Sequence, residues 1–270
     1  LKIIKIDFDM SKKYPLLVSW NVNGIRSVMK KGFLDWLNKA KPDIVCLQEI
    51  KAKPGQLTDE ILHPDGYTGI WNSADRKGYS GVATLVKGKP LMQISNFGEK
   101  ILDEEGRIIL TEHKDFYLFN VYFPNGARDA GRLDYKIKFY KRFYELLDEY
   151  AGKKPVMICG DFNTAHHEID IARPKANETR SGFLPMERKW LDKLEDKGYI
   201  DTFRFKYPKK RDIYSWWDVI THARERNVGW RIDYFWADKR LKLKIKDAMV
   251  MSDVLGSDHC PIAIKIDARL

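Results

Sequence analysis

Several short apolar runs in this chain stop abruptly at polar residues, and that regularity restricts the fold more than any other feature. Leu16-Leu17-Val18-Ser19-Trp20 is followed by Asn21 and Asn23, and Ile44-Val45-Cys46-Leu47 by Gln48 and Glu49. Tyr122 and Asn125 close the run over 116–123, and Val156-Met157-Ile158-Cys159 leads into Gly160, Asp161, Phe162 and Asn163. Runs this short and this apolar have the length of buried strands. On an extended chain residues two apart point the same way, so Asp161 and Asn163 face one space. Asp233 lies in the strand expected after Trp230, and Ser257-Asp258-His259 precedes the last expected strand.

The spacing predicts strands over 15–20, 43–49, 81–87, 107–113, 116–123, 156–159, 231–237, 248–252 and 261–266. Phe33, Trp36, Leu37 and Ala40 recur at helical spacing until Pro42 stops them. The longest helix spans 133–150 and is closed by Gly152; another surrounds Trp190, Leu191 and Leu194 and ends at Gly198. Residues 1–14 read as an N-terminal arm or edge strand, and 15–270 as one domain, since no linker or repeat interrupts them. Helices alternate only partly with strands. A mixed α/β (α+β) layered sandwich fits better than a doubly wound nucleotide fold, and no Gly-rich phosphate loop is present.

Lys and Arg exceed Asp and Glu by ten, with a sequence pI near 9.3. That excess suits a polyanionic partner such as nucleic acid. Cys46, Cys159 and Cys260 each sit in an apolar run, as expected of buried thiols in a reducing compartment. No apolar stretch approaches the ~20 residues of a membrane span, and no signal-peptide core is visible. The expectation is a cytoplasmic monomer away from the membrane, nucleoid-associated, or nuclear in a eukaryote.

If the strand ends converge, the mouth holds the carboxylates Glu49, Asp161, Asp233 and Asp258, several carboxamides, the imidazole of His259 and the phenol of Tyr122. Oxygen-rich donors with a single histidine suit a hard cation, Mg²⁺ with Mn²⁺ as substitute, and argue against zinc. With no Ser-His-Asp spacing or reactive cysteine, the chemistry expected is metal-assisted attack of water on a phosphate ester. The adjacent His166 and His167 are expected to be structural. Trp216, Trp217 and Trp230 would ordinarily be core, but Arg224, Arg226 and Arg231 are interleaved with them, as on a nucleic-acid surface.

Ser-Trp-Asn-Val-Asn-Gly (19–24), Leu-Gln-Glu-Ile-Lys (47–51), Lys-Gly-Tyr-Ser-Gly-Val (77–82), Tyr-Phe-Pro-Asn (122–125), Gly-Asp-Phe-Asn (160–163), Asn-Val-Gly-Trp-Arg-Ile-Asp-Tyr (227–234) and Gly-Ser-Asp-His-Cys-Pro (256–261) occur in this order. Together, over roughly residues 15–267, they resemble the exonuclease III family of apurinic/apyrimidinic endonucleases, within the endonuclease/exonuclease/phosphatase superfamily. The resemblance implies a four-layer sandwich of two packed mixed β-sheets flanked by helices. It also implies Mg²⁺-dependent cleavage of double-stranded DNA 5′ to abasic or otherwise damaged sites, leaving a 3′-hydroxyl, with 3′→5′ exonuclease or end-cleaning activity.

By the same resemblance Glu49 holds the cation with Asp258, and Asn21, Asp161, Asn163 and His259 border it. Asp161 aligns the attacking water and is itself oriented by Asn21. Asn163, Tyr122, Asn125 and His259 contact the scissile phosphate, and Asp233 pairs with His259. Trp216, Trp230 and Ile232 match the pocket for a flipped-out abasic sugar, while Tyr79 and Arg107 match positions along the DNA. Asn23 stands where some members carry Asp, which leaves the number of metals open. Two other readings remain: another hydrolase of the wider superfamily, such as a phosphoinositide phosphatase, a sphingomyelinase or a general DNase, and a DNA-binding module without catalysis.

Overall fold

The structure, a computed structural model, describes residues 14–270; apart from Tyr14, the expected N-terminal arm lies outside the described residues. The strands are β1 (Leu16–Asn21), β2 (Ile44–Gln48), β3 (Tyr67–Asn72), β4 (Val82–Lys87), β5 (Met92–Ile94), β6 (Ile108–Glu112), β7 (Tyr117–Tyr122), β8 (Val156–Asp161), β9 (Tyr199–Asp201), β10 (Trp216–Trp217), β11 (Gly229–Trp230), β12 (Asp233–Asp238), β13 (Ile245–Val250) and β14 (Ile262–Ile266). They form two six-stranded sheets, ordered β13-β14-β1-β2-β4-β3 and β5-β6-β7-β8-β12-β9, and a small β10-β11 hairpin. Among the described residues only β1–β2 and β7–β8 pair in parallel, so each sheet is mixed. This is the layered α/β sandwich the sequence predicts.

Strand parity builds the layers. In β8, Met157 and Cys159 join the apolar cluster between the sheets with Leu17, Cys46, Leu118, Phe235 and Ile264. Their neighbours Val156 and Ile158 face outward onto Phe139, Phe143 and Leu147 of the helix Ala130–Ala151 and Leu191 of the helix Pro185–Asp196. Across the sandwich, Val18, Trp20, Val45 and Leu47 face outward onto Phe33, Trp36 and Leu37 of the helix Phe33–Ala40. Continuing the inward parity by one step past the apolar cluster brings Asn21, Gln48, Tyr122, Asp161 and Asp233 to the same inter-sheet end.

Most expected strands are present within one or two residues; Ile245–Val250 begins three residues earlier than expected. The strands β3, β5 and β9 and the β10–β11 hairpin are additional. Half-buried β3, with Gly69 at its centre, has neither alternation nor a continuous apolar run. Gly152 closes the long helix in a right-handed conformation, φ −70°, so this helix end does not use glycine's freedom.

Gly160 is different. Its φ is +138°, and a Cβ there would lie 1.8 Å from the carbonyl oxygen of Val121 on the parallel neighbour. Glycine is therefore required for β7 and β8 to pair up to Asp161. Gly160→Ala is expected to cost about 3 kcal/mol in urea unfolding, from overpacking against backbone that cannot step aside.

Candidate active site

The polar strand ends converge on one cleft of about 820 Å³, lined among others by Glu49, Tyr122, Asp161, Asn163, Asp258 and His259. Asn21 sits at its floor, fully buried. Its Nδ2 donates to Asp161 Oδ2 at 2.9 Å and to Glu49 Oε2 at 3.1 Å, joining the two sheets. Its Oδ1 accepts from the N–H of Asn23 at 3.0 Å. Asn23 Nδ2 donates to Asp258 Oδ1 at 2.9 Å, and Trp216 Nε1 donates to Asp258 Oδ2 at 3.1 Å. On the second sheet the Asn163 N–H donates to Asp161 Oδ1 at 2.7 Å, and Asn125 Nδ2 donates to Asn163 Oδ1 at 3.0 Å.

Several of these residues occupy backbone that non-glycine residues enter reluctantly. Asn23, Glu49, Lys51 and Asn163 all have φ between 44° and 56°. Asparagine tolerates this region; glutamate and lysine do so less readily, and surrounding hydrogen bonds must hold them there. The Gly24 N–H donates to Glu49 O at 2.8 Å, and the Lys51 N–H to Ser80 O at 2.9 Å.

His259 Nδ1 lies 2.9 Å from Asp233 Oδ2, which also accepts from Ser215 Oγ at 2.6 Å. Burial works against a charge on His259, but the Asp233 and Asp161 carboxylates outweigh it and lift the imidazole to about 10. At neutral pH both ring nitrogens then carry protons. Nδ1–H is committed to Asp233, while Nε2 stands 3.8 Å from Asp161 Oδ2, beyond hydrogen-bond range, and is free to serve a ligand in the cleft. Burial, reinforced by Asp233, pushes the Asp161 carboxyl up to about 7. For Asp258 burial is outweighed by His259 and by donors from Asn23, Trp216 and Ser257, which hold it below the usual range.

The donors fit a hard divalent cation. Glu49 and Asp161 are linked through the Asn21 amide and Asp258 is held by Asn23, and their carboxylate oxygens keep lone pairs beyond the hydrogen bonds they accept. The Lys51 ammonium lies 2.9 Å from Glu49 Oε1 and donates to Asn23 Oδ1 at 2.5 Å, so the corner already attracts a cation. With oxygen donors and no thiolate, it suits Mg²⁺ or Mn²⁺. Asp161, Asp233 and His259 also lie within ligand distance of one another, but His259 Nδ1 is taken by Asp233.

The apolar end of the cleft is the hairpin. Trp216 and Trp230 pair across β10–β11 and meet edge to face at 6.0 Å between centroids. With Ile232 they pack on Ala165, Ile171 and Phe183. Beyond Trp217 the hairpin loop presents two adjacent aliphatic side chains, Val219 and Ile220, to solvent, 64% and 89% exposed.

Arg107 and Arg231 differ from expectation. Arg107 is 1% exposed, beneath the Tyr122 ring at 4.5 Å; it donates to Tyr122 O, Glu105 and the Tyr79 hydroxyl. A buried guanidinium with these partners braces the phenol and does not itself lie along a ligand. Tyr79 remains accessible, lining a second cleft of about 340 Å³ with Arg76, Arg128 and Arg132. Arg231, also 1% exposed, bonds Asp170 and Asp201. Arg224 donates to the carbonyls of Ser252, Val254 and Ser257. His166 bonds Asp192 and stacks on His167, outside the cleft. Sequence reasoning missed Lys51 and Ser215; Lys51 stands two residues beyond Glu49, the same spacing that singled out Asn163.

The chain belongs to the endonuclease/exonuclease/phosphatase family, whose model matches residues 18–259. Within it, the chain is 44% identical over 252 residues to an exodeoxyribonuclease from Bacillus subtilis, covering 93% of this chain and 99% of that one. It is 42% identical over 253 residues to a DNA repair nuclease from Danio rerio, covering 92% and 81%. Among solved structures, an AP endonuclease from Leishmania major superposes with a TM-score of 0.86 at 29% identity, covering 100% of this chain and 92% of that one. The chain is a hydrolase of this family, and the fold implied by its motifs is the fold observed.

The Asp170 network behind the pocket carries its own consequence. Asp170 is fully buried between Arg231 and Arg204, at 2.8 and 2.9 Å. Burial alone would raise its pKa, but the two guanidinium groups outweigh it and hold the carboxyl well below the ordinary range. Its contribution is therefore present above the unfolded value of about 3.9 and is lost as pH falls below it. Asp170→Asn is expected to cost about 3 kcal/mol at pH 7 and to flatten the acid limb of stability, as read by urea unfolding from pH 7 downward.

Proposed function

We propose that this enzyme hydrolyses the DNA phosphodiester 5′ to abasic sites, leaving a 3′-hydroxyl, with Mg²⁺ held by Glu49 and Asp258. It also removes 3′-terminal groups, since a strand end presents the same phosphate to the same cleft. The observation that carries this reading is one continuous cleft lined by Asp161 and His259 together with Trp216, Trp230 and Ile232, the Trp216 and His259 ring centroids lying 6.4 Å apart. A narrow apolar slot accepts a base-free deoxyribose and excludes an intact nucleotide by size. Extrusion costs least where no base is stacked. The exposed Val219 and Ile220, projecting from the same hairpin, are suited to wedge into the vacated stack. The relatives named exodeoxyribonuclease, DNA repair nuclease and AP endonuclease agree with a DNA substrate.

In the mechanism, Asp161 fixes a water for in-line attack and accepts its proton, its own orientation set by Asn21 and the Asn163 N–H. His259 Nε2–H and the Tyr122 hydroxyl donate to phosphate oxygens as charge builds, and Asn163 Nδ2 joins them by giving up its 3.2 Å bond to Asp161 Oδ2, each such donor being worth about 3 kcal/mol. Burial raises the Tyr122 pKa well above its usual value, keeping the phenol a donor. A cation held by Glu49 and Asp258 would neutralise phosphate charge and stabilise the leaving 3′-oxygen, which takes its proton from solvent. Tyr79, Arg76 and Arg128 lie where the flanking DNA backbone would continue, and the protein acts as a monomer.

The test is a duplex with one abasic site beside an inositol phosphate. The expected result is a single incision 5′ to the lesion that stops on chelation, with the inositol phosphate untouched; the reverse preference would overturn the reading. Asp161→Asn and Glu49→Gln are each expected to lower turnover about 1,000-fold while DNA affinity changes less than about fivefold. A pH–rate profile should rise as pH climbs through about 7 with Asp161 losing its proton. The limb should move to lower pH as Mg²⁺ is raised, because a nearby cation favours the carboxylate.

A further inference from the structure

The ammonium of Lys136 takes no part in this chemistry, yet it lies directly behind it. Lys136, in the helix Ala130–Ala151, and Glu187, in the helix Pro185–Asp196, have fully enclosed side chains 2.6 Å apart. Lys136 Nζ donates to Glu187 Oε1, to the carbonyl oxygen of Asn163 at 2.8 Å and to Thr164 Oγ1 at 2.8 Å. All three ammonium protons are thereby used. Glu187 in turn accepts from Ser181 Oγ at 2.9 Å, from the Gly182 N–H at 2.6 Å and from the Leu184 N–H at 3.3 Å.

An ion pair taken wholly out of water is a poor source of stability, so what it holds is informative. It grips two turns. At the first, Asn163 has φ +50°, with its N–H bound by Asp161 and its carbonyl by Lys136. At the second, Gly182 has φ +95°, and a Cβ there would come within 2.9 Å of the Trp230 ring. The Ala165 N–H, two residues past Asn163, donates to Gly182 O at 2.8 Å and ties the turns together.

We propose that Lys136 and Glu187 are a positioning pair that holds the Asn163 turn, and with it the Asn163 amide, in place for the reacting phosphate. The inference rests on the role given to Asn163 above. Without the ammonium on its carbonyl, Asn163 is free to leave the left-handed region. Its Nδ2 would then lose its places 3.2 Å from Asp161 Oδ2 and 2.9 Å from Phe123 O.

The experiment is a double-mutant cycle on the abasic duplex, using K136M/E187Q, which leaves no buried charge unpaired, in the native and N163A backgrounds. In the native background kcat is expected to fall about 30-fold, with KM within about threefold. In the N163A background the same substitutions should cost less than about twofold, because the group they aim is gone. Equal losses in both backgrounds, or an unchanged kcat in the native one, overturn the proposal. If the doubly substituted protein folds poorly, K136L/E187Q, which likewise removes the ammonium and leaves no buried charge, enters the same cycle under the same criteria. Normal turnover by N163A itself would overturn the role of Asn163 and the pair's role with it. A crippled N163A with additive losses would overturn the positioning pair alone.

Discussion

A strand can offer only alternate side chains to a given face, and in this molecule that parity decides which residues become chemistry. Inward positions are mostly apolar, with Ser19 and Asn120 as polar exceptions, until the last turn of the pleat, where Asn21, Gln48, Tyr122, Asp161 and Asp233 take over. The change is anchored by a buried polar tie between the sheets. Gln48 Nε2 donates to Asn120 Oδ1 at 2.8 Å and Ser19 Oγ at 3.0 Å, while Asn120 Nδ2 donates to Ala83 O at 2.8 Å. Such groups are costly to bury unless paired with the right partner, so they fix the register of one sheet on the other.

That parity is also why so much was legible in the sequence. The runs ending at Asn21, Gln48, Tyr122 and Asp161 are apolar on both faces but for Ser19 and Asn120, since one face meets the other sheet and one meets helices, and each stops where the core stops. Strand β3 was not legible because it is an edge strand, partly exposed, with Gly69 in place of a packing side chain. The burial of Arg107 and Arg231 was equally hidden. Arg231 finds Asp170 and Asp201 from 61 and 30 residues away, and no local pattern announces such a pairing. The same holds for Lys136 and Glu187, 51 residues apart. The left-handed backbone at Glu49 and Lys51 left no trace either, because neither residue type favours it.

The charge of the chain reads differently once these pairings are known. Lys136, Arg107 and Arg231 are cations spent inside the protein, each against a carboxylate. Among the described residues the buried carboxylates Asp161, Asp170, Glu187, Asp201, Asp233 and Asp238 outnumber these three cations, so the cationic excess of the described chain lies outside the core. The floor of the cleft, in contrast, carries Glu49, Asp161, Asp233 and Asp258 against His259 and Lys51. A basic exterior around an acidic floor draws in a polyanion at long range while leaving the reacting phosphate in need of a cation.

The Asn21 amide also makes the reactive centre a gauge of the sandwich itself. One nitrogen on β1 holds Asp161 on the opposite sheet at 2.9 Å, and a hydrogen bond of that length weakens steeply with a displacement of even half an ångström. Sliding or parting of the two sheets therefore disconnects the water-orienting group while every strand remains paired with its neighbours. Sheet-to-sheet spacing, a property of the whole core, is thus transmitted to the chemistry by a single carboxamide.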